Sequence, residues 1–232
     1  MIPLLLALLG CQNAPEEVAF CESTLAYTYD PTAALTTWPD DWWTVEDATT
    51  ATGLRLNLDP DDPALSVFPE NYHNVMTDLG DLDGFGTTPE LVVELSTGLP
   101  EDLSALEVVL LTRSDDGTWT SHPHSLTAID FDRTLLVRPW RPLPPASRGI
   151  LAVRARPTDG SDCISPSPTL RALLTDPAEP LHDRYQEGLD ALGWEAADVG
   201  IMTVFTTQSA GLFDEEVSAD IDARGPTLDG PM

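Results

Sequence analysis

The chain has 232 residues, enough for one domain with a sizeable core and elaborations, and its formal net charge of -28 comes from 39 acidic residues against 11 arginines and no lysine. Such a surface repels phosphates, so nucleic acid is excluded as a partner, and any membrane attachment must rest on something other than a basic patch. Solubility accounts for the charge most simply; divalent cations or a saline habitat are the alternatives.

The first predicted element is the uncharged run from Ile2 to Gly10, closed by Leu8-Leu9-Gly10-Cys11. It is too short for a transmembrane helix, which needs about 20 residues, and fits a secretory apolar region ending in a lipobox. No Lys or Arg precedes the run, and Leu9 is larger than the residue usual at that position. The expectation is a signal peptide at 1–10, with Cys11 acylated as the first mature residue. An ordinary cleaved signal or a buried N-terminal strand are the other readings. Residues 11–19 read as a tether, and order is expected from Phe20. With Cys11 acylated, Cys21 and Cys163 remain to pair in an oxidising compartment; two unpaired thiols are the alternative.

Alternating apolar and polar positions predict strands at 24–29, 54–58, 91–95, 106–112, 118–121, 134–138, 150–154 and 201–207, with turns of Pro, Gly and Asp between them. The run Val108-Val109-Leu110-Leu111 suits an interior strand. A helical turn is expected at 101–106, with Pro100 at its start. After Asp176-Pro177, Leu181, Tyr185, Leu189 and Leu192 recur at helical spacing before Gly193, predicting one helix whose stripe packs on the sheets. Residues 214–232 return to Asp, Gly and Pro and read as a flexible tail. The pattern is all-β with a helical insertion before the last strand.

Several side chains invite a functional reading. Asp81, Asp83, Gly84 and Glu90 match four positions of a calcium loop, but Leu79 stands at its first ligand position and strands are predicted around it. A looser calcium site could use Asp78, Asp81 and Asp83 with Asp59, Asp61 or Asp62; the plainer reading is turn formation and capping. His122 and His124 fall on one side of an extended segment and could share a metal weakly, whereas His73 and His182 have no partner in sequence. Ser125, Ser147 and Ser209 lie in no nucleophile elbow, so no catalytic residue is assigned and no enzyme is expected. Trp38, Trp42 and Trp43 could stack on a sugar or a peptide, or cap one end of the core; Trp119, Trp140 and Trp194 read as core or edge packing. Arg55 is expected to pair with a carboxylate such as Asp47.

Four blocks carry a resemblance: WPDDWWTVEDATTATGLRLNL (38–58), LGDLDGFGTTPELVVELSTGLPEDLSALEVVLL (79–111), TLLVRPWRPLPPASRGILAVR (134–154) and VFTTQS (204–209). In this order they resemble the N-terminal domain of bacterial virulence-factor lipases and the Ig-like domains of envelope lipoproteins. The resemblance implies an Ig-like β-sandwich over 20–213. It implies the accessory domain of such a lipase and not its hydrolase, since no Gly-x-Ser-x-Gly occurs in the chain. Gln12, where retention in the inner membrane uses Asp, points to the outer membrane. The functional expectation is a lipid-anchored, non-catalytic spacer, adhesion or protein-interaction module, facing the periplasm or the medium, with a protein or glycan partner and no cofactor. The alternatives are the accessory domain of an extracellular lipase and a calcium-dependent adhesion module.

Overall fold

The computed structural model describes residues 18–209 apart from Asp132. The expected signal peptide, the acylated Cys11, most of the tether and the tail lie outside the described residues. In chain order the elements are β1 (Thr37–Trp38), β2 (Thr44–Glu46), β3 (Leu54–Leu56), α1 (His73–Leu79), β4 (Leu91–Glu94), β5 (Val108–Arg113), β6 (Trp119–Ser121) and β7 (His124–Ile129). They continue with β8 (Thr134–Pro139), β9 (Arg148–Arg154), α2 (Pro168–Thr175), α3 (His182–Leu192) and β10 (Val199–Thr206).

Two four-stranded antiparallel sheets form, ordered β1-β4-β8-β7 and β10-β9-β5-β6. Lettered A, B, C, C′, D, E, F and G along the chain, these strands give A-B-E-D and G-F-C-C′. That is the immunoglobulin-type sandwich with one strand added beside C. The register places Leu91 opposite Val137 and Val93 opposite Leu135, and these four fully buried side chains meet Leu110, Leu151, Val153, Ile201 and Phe205 in one core. A close approach is built in at Gly149, opposite Phe205, where a Cβ would lie 2.3 Å from the ring.

The helical insertion lies between F and G and holds two helices, not the one expected. Ser167 caps α2 by accepting from Leu170 N at 3.1 Å, and Pro168 fills the position where no amide hydrogen is needed. The predicted stripe of α3 is buried at Tyr185 and Leu189, and Gly193 ends the helix in the left-handed conformation at φ 64°. Gly188 lets α3 sit on the outer face of the second sheet, since a Cβ there would lie 2.2 Å from Met202 and 3.3 Å from Ile150. This cover explains why all eight residues of β10 are buried.

A second insertion between A and B carries the β2–β3 hairpin and α1. Segment 24–29 makes isolated bridges at Ala26 to Ser165 and Tyr27 to Leu95, not the full strand expected. The helical turn expected at 101–106 is a short 3-10 turn, Leu103–Ala105, capped by Asp102, with Pro100 outside it. Cys21 and Cys163 form a disulfide across 142 residues of sequence, with Cα atoms 6.4 Å apart.

Candidate functional site

Where β1 ends, Pro39-Asp40-Asp41 crosses from the first sheet to the edge strand of the second and carries a buried polar cluster. Asp40 caps the following 3-10 turn by accepting from Trp42 N at 2.8 Å and is fully buried. Desolvation raises its carboxyl to about 7, against the opposing pull of the Trp42 amide and the Tyr29 hydroxyl. Asp41 is also raised by burial, but Arg184 of α3 opposes that shift from 2.7 Å, and Thr206 donates to the same oxygen at 2.9 Å. Thr203 donates to the Pro39 carbonyl at 2.9 Å. Tyr27 and Tyr29 stack with centroids 5.4 Å apart, and the Tyr27 hydroxyl bonds Thr37 at 2.6 Å. One oxygen each of Asp40 and Asp41 and the Tyr29 and Tyr185 hydroxyls are buried without a well-formed hydrogen bond. With both carboxylates buried and Arg184 only partly exposed, this cluster locks strands A and G to α3. The only signal for it in the sequence is the Pro-Asp-Asp triplet, and nothing there links it to Arg184.

The residues singled out in the sequence are spread over the molecule. Arg55 does pair with Asp47, Nε to Oδ2 at 2.8 Å, and the Thr49 side chain, the Thr49 amide and Arg55 together lower the Asp47 carboxyl to about 2. Asp83 is occupied by Ser209, whose amide and hydroxyl donate at 2.9 and 2.6 Å. Asp59 and Asp62 accept from Asp61 N and Ala64 N, both at 2.9 Å, which is turn capping. Asp78 belongs to α1, so a helix and not a strand precedes Asp81 and Asp83. Among the described residues no three His, Cys, Asp or Glu side chains converge on a metal position. His122 bonds Thr112 at 2.7 Å through Nε2, and burial lowers its pKa. The rings of His124 and His182 bond the carbonyls of His122 and Leu173, both at 2.9 Å. Ser147 donates to the Pro145 carbonyl at 3.1 Å, and Ser125 lies exposed on β7. Trp43 is buried, and Trp38 meets Phe85 edge-on at 4.8 Å, so these rings close one end of the core. Trp194 is buried beneath Arg154, 4.5 Å from the ring centre. Trp140 departs from the packing expected of it, being 71% exposed.

Two surface features have the chemistry of binding sites. The A–B insertion folds over the outer face of strands A and B and leaves an apolar groove of about 460 Å³ between them, with Trp38, Leu58, Val67, Tyr72 and Val75 in its walls. Val67 is 68% exposed and Tyr72 and Val75 are about half exposed, a contiguous apolar patch rather than scattered residues. Glu94 stands in the groove wall, its carboxyl raised by desolvation and by Asp130, against Arg133. The second feature is Trp140 itself, which projects from the E–F turn between two smaller crevices.

No protein-family model matches the chain, and no curated protein does.

Proposed function

We propose that this protein is a non-catalytic interaction module of a bacterial cell envelope, acylated at Cys11 and displaying the Ig-like sandwich as its folded body. The Cys21–Cys163 disulfide carries this reading, because such bonds persist in oxidising compartments and are rare in the cytosol. The non-catalytic part is supported by Ser147 and Ser209, whose hydroxyls are committed to a carbonyl and a carboxylate of the fold. The groove beside strand A is the docking face. Its apolar walls and single carboxylate, on a chain of net charge -28, suit the apolar side chains of a partner protein flanked by a basic residue set against Glu94.

Intact-mass analysis of the protein extracted from membranes tests the placement. The expected result is a chain starting at Cys11 with added acyl mass and two hydrogens fewer than the reduced form. An unmodified chain retaining Met1, recovered from the cytosol with free thiols, would overturn it.

A further inference from the structure

Beyond the groove and independent of where the protein resides, the E–F turn presents an exposed tryptophan between two crevices. Tryptophan is highly buried on average, so an indole 71% exposed on an otherwise well-packed domain is informative. The backbone that carries the indole is held in place. Trp140 N donates to the Pro123 carbonyl at 3.0 Å, Leu143 N donates to Thr87 at 2.6 Å, and Pro139 and Pro142 restrict the backbone on either side. A turn that is already fixed needs no ordering of its backbone when a ligand covers it.

On either side of Trp140 lies a crevice, one of about 330 Å³ reaching Pro89 and Glu90, the other of about 250 Å³ reaching His122 and Pro123. Arg141 lines both. In the larger one Arg138 is engaged by Glu90, while Arg141 makes no ion pair or side-chain hydrogen bond among the described residues. Seven of the ten arginines among the described residues are ion-paired, and Arg141 is an unpaired one that adjoins an exposed indole.

We propose that Trp140 and Arg141 bind a saccharide bearing a single carboxylate, with a sugar ring stacked on the indole and the carboxylate held by the guanidinium. A pyranose presents an apolar C–H face bounded by hydroxyls, which matches the negative face of an indole surrounded by polar groups. The planar fork of Arg141 matches a carboxylate in a bidentate pair. Crevices of this size sit at or below the lower end of the range for drug-sized ligands, about 300 Å³, and suit one or two rings each. A proline-rich peptide fits less well, because its ridges need several successive aromatics and this site has one. A polyanion is disfavoured because each charge beyond the one facing Arg141 meets the field of the acidic body.

Titrating the full chain by calorimetry with sialyllactose, lactose and a decaproline peptide tests the proposal. Sialyllactose is expected to bind about tenfold more tightly than lactose, as one charge-assisted pair provides. Trp140→Ala should abolish binding of both sugars, and Arg141→Gln should bring sialyllactose to the level of lactose. Both side chains are exposed, so unchanged thermal melts would show the variants folded. Failure of either sugar to bind at millimolar concentration, binding that survives Trp140→Ala, or Trp140-dependent binding of decaproline alone would each overturn the assignment.

Discussion

Asp40 binds a proton in the folded protein that the unfolded chain has already released. Its carboxyl is held at about 7 by burial, whereas an unfolded Asp titrates near about 3.9. Between those values the native state carries more protons than the denatured state, so unfolding free energy falls as pH rises. This contribution is fully present below about pH 4 and is lost by the time pH passes 7. Asp40→Asn keeps an oxygen to accept from Trp42 N and removes the titration. The variant is expected to match the parent near pH 3.5, where Asp40 is protonated in both states, to exceed it already at pH 5, and to exceed it at pH 8 by on the order of a few kcal/mol. Thermal melts across that range decide the matter, and parallel curves for the two proteins would contradict the assignment. Adjacent acids read as surface in a sequence because charged side chains are almost never fully buried unless paired. Here the pairing cation, Arg184, comes from the far end of the chain, which is why the cluster is invisible without coordinates.

At the scale of elements, legibility followed contrast. β5 was readable because Val108 to Leu111 is continuously apolar, as an interior strand should be, and α3 was readable because Gly193 marks its end. β7 was not, since it alternates Leu126 and Ala128 with Ser125 and Thr127, a weak contrast suited to an edge strand buried on one face only. The helices α1 and α2 have 7 and 8 residues, about two turns each, too few for a period to emerge. Two consequences can be measured. The approach of strands F and G at Gly149 leaves no room for a methyl group, so Gly149→Ala should cost about 1–3 kcal/mol in urea denaturation by overpacking against Phe205. The groove under α1 should take up the neutral apolar dye Nile red with enhanced fluorescence. Val75→Glu, which places a charge in its wall, should weaken that uptake roughly tenfold. Undiminished dye binding in the variant would put the apolar site elsewhere.

For the whole molecule, the sandwich closes between strands A and G, and the chain before strand A is fastened separately. Leu25 and Tyr27 exchange backbone hydrogen bonds with Ser165, at 2.8 and 2.9 Å. Arg171 of α2 reaches back to Glu22 at 2.5 Å and lies over Phe20, 5.2 Å from the ring centre. The disulfide adds a covalent link at the same place, joining Cys21 to the segment that follows strand F. If the body hangs from Cys11, any pull enters through this segment, and the disulfide passes it to the second sheet before it can peel segment 24–29 from its bridges. Closing 142 residues of sequence lowers the entropy of the unfolded chain enough to stabilise the fold by about 5 kcal/mol in the chain-entropy model. The variant carrying both Cys21→Ser and Cys163→Ser should therefore lose stability of that order in urea. Its local signature is more telling, because the hydrogen bonds of the N-terminal segment are few and close to the surface. Hydrogen exchange in the variant should accelerate first at the amides of Tyr27 and Ser165, which make the bonds between the two segments, while Leu151 and Val153, deep in strand F, keep their protection relative to global unfolding. Acceleration at Tyr27 and Ser165 no greater than the loss of global stability accounts for would mean that the bond does not separately hold the first segment.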